Sequence, residues 1–204
     1  MDPQIGDIAG GDVLVEGAEI VEVGREVGAA DAEIIDASSM AVIPGFVDTH
    51  RHTWQTLLRS SVPDCDISEY FSVIVGGFAP HYRPQDTYAG NRLGAPLGAL
   101  NAGFTTWLDW AHNLNTPDHA DEAIRGLQDA GIRAVFAHGA PLSSMEDWWS
   151  ASGTRAHPDD IKRLRTQYFS SDDQLVTLAM ALRGPEFSSL EVSGRFGNER
   201  GVAA

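Results

Sequence analysis

The run IPGFVDTHRH at residues 43–52 puts two histidines one residue apart, behind an apolar stretch that a proline and a glycine interrupt. Imidazole is a nitrogen ligand for divalent metals and a proton carrier near neutral pH. Side chains alternate along an extended backbone, so His50 and His52 project to one side of it, with Asp48 on the same parity. At the carboxyl end of a buried strand, two such imidazoles can offer nitrogens to one cation. A catalytic zinc normally takes three protein ligands and a water, at about 2.0 Å from each nitrogen. The pair is therefore half a metal site, or else two solvated residues at the start of a loop.

Other residues with chemical potential are more scattered. His112 and His138 each follow an apolar run, and both read as substrate-contact or loop-anchoring residues. His81 falls in an irregular stretch, His119 in the first turn of a helix and His157 before a proline, which gives them little functional weight. Among the five tryptophans, Trp107 reads as core, whereas Trp110 and the 145–149 stretch could line an apolar pocket for a ring-shaped substrate. Cys65 has no positioned base beside it, which argues against nucleophilic catalysis.

The elements that must position these residues follow a clear order. Residues 12–37 hold short apolar stretches, Val13-Leu14-Val15, Ile20-Val21-Glu22-Val23 and Ile34-Ile35, separated by Gly and Asp. They predict a small antiparallel β unit. From residue 41 strand and helix patterns alternate: apolar runs at 41–47, 104–110, 132–137 and 175–182 read as parallel strands, the first buried on both faces. Residues 64–84 look irregular, 85–102 helical with a break near Ala95 ahead of Pro96, 117–130 a well-signalled helix and 159–168 another. Right-handed βα repetition leaves an open doubly wound sheet or part of a closed barrel. No GxGxxG follows a strand and no GxxxxGK[ST] is present, which weakens the open sheet.

A formal charge of −15 disfavours broad attraction to nucleic acid or an anionic membrane. No apolar run approaches the roughly 20 residues of a membrane span, no signal-peptide pattern opens the chain, and one cysteine allows no intrachain disulfide. A cytoplasmic protein is expected.

PGFVDTHRH (44–52) resembles the first-strand signature of the amidohydrolase superfamily, in its cytosine deaminase and chlorohydrolase-like branch. HTWQTLLR (52–59), NAGFTTWLDWAHN (101–113) and AGIRAVFAHG (130–139) resemble that branch's first, second and third barrel segments in order, and GDVLVEGAEIVEVG is similar to its small β domain. The resemblance implies an α/β fold, a (β/α)8 barrel of which this chain carries about the first four strands. It divides the chain into a β unit at 1–40, a first barrel half at 41–191 and an irregular tail at 192–204. It also implies one divalent metal, zinc or iron, with His50 and His52 as ligands and Asp48 as a supporting acid. His112, His138 and Trp110 become candidates for the substrate pocket. The implied reaction is attack of metal-activated water on a heterocyclic amine, releasing ammonia. The alternatives are release of halide from a chlorinated heterocycle, or a catalytically silent fragment. The family's remaining ligands and its general base come from later strands, so they are expected outside this chain, and the catalytic residues stay unassigned. Expected partners are a small heterocyclic substrate and, through unpaired sheet edges, a second copy of the chain.

Overall fold

The computed structural model of the chain describes residues 6–143, 145–150, 155–184, 186–189 and 192. It contains two compact units, one up to Pro44 and one from Gly45. In the first, strands β1 (Asp12–Glu16) and β2 (Glu19–Gly24) form an antiparallel hairpin with a bulge between Leu14 and Val15. Gly17 turns the chain at φ +62°, a left-handed conformation that glycine adopts without steric cost. Ile34 and Ile35, expected in a third strand, belong to none. Two apolar residues are too few to hold a strand when no neighbouring ladder takes their backbone groups.

In the second unit, β3 (Phe46–Arg51), β4 (Phe104–Ala111), β5 (Arg133–His138) and β6 (Val176–Met180) form one parallel sheet in that order. The mixed α/β class and the parallel four-strand sheet agree with the sequence; β3 and β6 are its edges among the described residues. The first strand lies at Phe46–Arg51 and not at 41–47. Pro44 has no N–H to donate, and a Cβ on Gly45 would sit 2.2 Å from Thr105 Oγ1, so pairing starts with Phe46 N–H donating to Gly103 O at 2.9 Å. The polar residues Asp48 to Arg51 therefore occupy strand positions.

Burial on both faces is also corrected. Along β4, Trp107, Asp109 and Ala111 are buried while Phe104, Thr106, Leu108 and Trp110 are half-buried, and at the edge Phe46 and Val47 are exposed. The buried face meets the helices: Trp107 packs with Ala123, Ile124 and Leu127 in one core that also holds Phe136, Leu164 and Phe169.

The helices follow their signals. α1 (Ile67–Tyr70) opens on a capping box in which Asp66 accepts from Glu69 N–H. A wide helical turn, Phe71–Phe78, and a 3₁₀ turn, Ala79–His81, continue it, so residues 64–84 are largely helical and not irregular. α2 (Pro84–Leu93) gives way to a wide turn at Gly94–Ala99 around Pro96, as proline's missing donor requires. α3 (Pro117–Ala130) stops at Gly131, φ +69°. α4 (Met145–Trp148) and α5 (Asp160–Gln167) precede β6.

α2 and α3 touch backbone to backbone. A Cβ on Gly126 would lie 2.9 Å from Tyr88 O and 3.0 Å from Asn91 Cβ. Alanine there would gain roughly 1 kcal/mol of helix propensity, but overpacking a tight contact costs about 1–3 kcal/mol. Gly126→Ala is expected to lower the urea midpoint without changing the m-value; a raised midpoint would mean that the two helices part freely.

Candidate functional site

β3 pairs with β4 in parallel, Asp48 opposite Trp107 and Arg51 opposite Asp109, with an irregularity between the two pairs. The Arg51 guanidinium lies 5.0 Å over the Trp107 ring, on the helix side. His50, one residue earlier, takes the opposite face, its ring 5.1 Å from that of Trp110 and edge-on to His52 at 4.9 Å. His50 is exposed and His52 half-buried. His52 follows the strand and stands at the N-cap position of a 3₁₀ helix, Thr53–Leu58, without capping it through its side chain.

One main-chain oxygen organises the group. Trp110 O lies 3.0 Å from His52 Nδ1 and 3.1 Å from His112 Nδ1, and the two rings are 4.2 Å apart. A carbonyl can only accept, so each Nδ1 carries the proton and each Nε2 of the neutral ring keeps its lone pair. Burial lowers the His52 pKa; the Trp110 carbonyl opposes this and the neighbouring His50 adds to it. His112, more deeply buried and next to His52, is pushed down to about 3. Its ring is enclosed by Trp54 and Trp149, at 5.7 and 5.8 Å. Trp149 is in turn fixed by donating Nε1–H to Pro141 O at 2.9 Å.

Asp48, expected on the side of the two histidines, pairs opposite Trp107 and is tied to Arg51, because the strand is irregular between Asp48 and Arg51. Its Oδ1 accepts from His50 N–H at 3.1 Å and its Oδ2 from Arg51 Nη1 at 3.0 Å, so both oxygens are engaged within the strand end. His138 goes elsewhere: at the end of β5, 2% exposed, its Nδ1 is 2.9 Å from His157 Nε2. His112 and Trp110 thus come together with the His50–His52 pair, whereas His138 pairs with a histidine that the sequence left aside. His119 is a structural residue, with Nδ1 2.8 Å from Thr116 Oγ1 and Nε2 2.9 Å from Tyr82 O.

Asp109 was passed over in the sequence. It is 1% exposed, and burial raises its carboxyl to about 6 against hydrogen bonds from Thr53 and Asn91 that favour the anion. The available signal was a lone acid inside an apolar strand, FTTWLDWA.

Toward a metal, the pair offers two imidazole nitrogens with the His52 tautomer already set. That donor set suits zinc or iron at two coordination positions. Among the described residues no three of His, Cys, Asp and Glu are placed to hold an ion together.

No family model matches the chain. It is 26% identical over 178 residues to 5'-deoxyadenosine deaminase of Methanosarcina acetivorans, covering 87% of this chain and 39% of that protein. With the 5'-deoxyadenosine deaminase of Methanococcoides burtonii it shares 30% over 154 residues, 76% of this chain and 33% of that one. With 5-methylthioadenosine/S-adenosylhomocysteine deaminase of Symbiobacterium thermophilum it shares 39% over 132 residues, 63% and 29% of the two chains. The chain thus spans about two fifths or less of the length of these curated relatives. In fold it is similar to a mutant atrazine chlorohydrolase TrzN of Arthrobacter aurescens TC1, solved with zinc and atraton. The TM-score is 0.72 at 19% identity, over 89% of this chain and 44% of that one. Among the described residues no helix is long and apolar enough to cross a membrane.

The His138–His157 contact makes stability depend on pH. Burial holds His138 down to about 4, with Asp160 raising and Arg163 lowering it; burial, then His138 and Arg183, push His157 to about 3. Unfolded imidazoles protonate near 6.5, so between about 6.5 and 4 the unfolded chain binds more protons and the folded state loses stability as pH falls. His157→Gln is expected to narrow the gap between urea midpoints at pH 7 and pH 5. An unchanged gap would place the acid sensitivity elsewhere.

Proposed function

We propose that the chain, similar in sequence to deaminases of adenosine derivatives, is part of an amidohydrolase-superfamily enzyme and supplies the first-strand side of a metal-dependent site that hydrolyses an amino group from a heterocyclic ring. The observation carrying this reading is the edge-on pair of His50 and His52 at the carboxyl end of β3, with His52 Nδ1 committed to the Trp110 carbonyl. In this reading His50 and His52 hold a zinc or iron ion through nitrogen lone pairs, and Asp48 fixes the strand end without joining the coordination shell. When bound, the metal supplies an activated water. The ring of the substrate lies against Trp110, and His112 presents an Nε2 lone pair toward it from between Trp54 and Trp149.

Ammonia is the preferred leaving group because the curated relatives are named as deaminases of adenosine derivatives. The chlorohydrolase likeness bears on fold alone. The barrel is part of the same reading: four parallel strands here, with further donors and the general base contributed from beyond them. Zinc held by two imidazoles is loosely bound, and metal-activated water needs a proton acceptor as well.

Two assays test the proposal. The chain alone, loaded with zinc or iron, is expected to release no more ammonia from aminated heterocycles than a chain with His50→Ala and His52→Ala. Residues 6–192 fused to the C-terminal remainder of the Symbiobacterium thermophilum deaminase are expected to deaminate 5'-methylthioadenosine in a zinc-dependent manner, and the same two replacements should abolish this. Turnover by a fusion that lacks both histidines would overturn their assignment.

A further inference from the structure

We propose that Asp109 is a positioning residue for His52, a role that rests on the metal-site reading of the His50–His52 pair. The hydrogen bonds of Asp109 go to Thr53 and Asn91 and not to either imidazole. Its Oδ1 accepts the backbone N–H of Thr53, the residue after His52, at 3.1 Å, and this hydrogen bond is buried. The next residue along β4, Trp110, accepts from His52 Nδ1 at 3.0 Å. Two consecutive residues of one strand therefore grip His52 at two points, its following peptide and its ring. A ring held at one nitrogen can still swing about its Cα–Cβ bond if the backbone shifts. With the following peptide pinned as well, the direction of Nε2 is set.

Asp109 is itself held. Its Oδ2 accepts from Asn91 Nδ2 at 3.1 Å, and the same amide nitrogen reaches Ala123 O at 3.2 Å, which ties the carboxylate to α2 and α3 together. The other side of the Thr53–Leu58 turn is seated on α2 without slack. A Cβ on Gly90 would lie 3.0 Å from Trp54 O, and one on Gly94 2.6 Å from Thr56 Oγ1. The carboxylate thus transmits the rigid helix layer to the one backbone segment that must aim an imidazole across the sheet. A buried acid with no partner would be costly. Here its hydrogen bonds are spent on the segment that ends the metal-facing strand, and outer partners of this kind set the orientation of metal ligands.

The test has two readouts. Long-range ¹⁵N–¹H NMR of the imidazole rings reports the His52 tautomer in the metal-free chain, and competition with a chromogenic chelator reports zinc affinity. The parent is expected to show His52 protonated at Nδ1. In Asp109→Ala, His52 should become a tautomer mixture and zinc affinity should fall about 10-fold or more. Asp109→Asn keeps an oxygen for Thr53 N–H but loses the Asn91 contact, because turning Asn91 to meet the new amide would set its Oδ1 against Ala123 O. The Thr53 hydrogen bond is the one that matters here, so the tautomer should persist and affinity should stay within about threefold. If Asp109→Ala folds with an unchanged His52 tautomer and affinity, the proposal is wrong. If Asp109→Ala does not fold, Asp109→Asn decides alone: a tautomer mixture there would mean that charge and not this hydrogen bond matters, which also overturns it. Should the parent bind no zinc that His50→Ala removes, the metal reading fails, while the tautomer comparison still judges the role of Asp109.

Discussion

A single carbonyl oxygen, that of Trp110, accepts from two imidazoles, and the candidate site depends on it. It fixes the protons of His52 and His112 at Nδ1, leaves both Nε2 atoms with lone pairs and brings the rings within 4.2 Å. A carbonyl at the end of a parallel strand is available for this because the ladder beyond it is finishing. The next strand pair shows the same economy: Ala111 O accepts from Gly139 N–H at 2.8 Å, just past the end of β5. The register of β3 against β4 then decides which histidine reaches the oxygen. A slip of one residue would turn His50 toward the helices and Arg51 toward the site.

The helix layer makes that register hold. Close approach of α2 and α3 at Gly126, and of α2 to the Thr53–Leu58 turn at Gly90 and Gly94, leaves little room for the turn to shift. The side chains between these elements are polar as well as apolar, with Asn91 and Asp109 buried among Trp107, Ala123 and Ile124. Asp109 accepts at both oxygens and Asn91 Nδ2 donates to Asp109 and to Ala123 O, while Asn91 Oδ1 is buried without a partner. Directional bonds of this kind specify one arrangement more strictly than an all-apolar layer can. On the opposite face of β4, Thr106, Leu108 and Trp110 are half-buried, and His50 near the end of β3 is exposed.

Much of this was legible in the sequence. A period of two put His50 and His52 on one side, and Pro117 with Gly131 bounded a helix that the structure reproduces at Pro117–Ala130. Pro96 announced the break after α2. The first strand was misplaced because hydrophobicity marks burial, whereas Pro44 and the Gly45–Thr105 contact determine where pairing can begin. The capping box at Asp66 and Glu69 was present in the residues but hidden by the glycines and proline that follow. Asp109 showed only as a lone acid inside an apolar strand, and neither its role nor the His138–His157 pair could be read, because each depends on partners 18 to 56 residues away that only the folded chain brings near.

The functional account reduces to one claim, that His50 and His52 bind a single divalent ion with His52 acting through Nε2. Anomalous diffraction from zinc-loaded crystals of the chain tests it most directly. The account predicts one zinc peak at about 2.0–2.1 Å from His52 Nε2 and from a nitrogen of His50, with His52 Nδ1 still on the Trp110 carbonyl. A zinc peak at His138 and His157 with none at His50, or a His52 ring turned to bind through Nδ1, would contradict it.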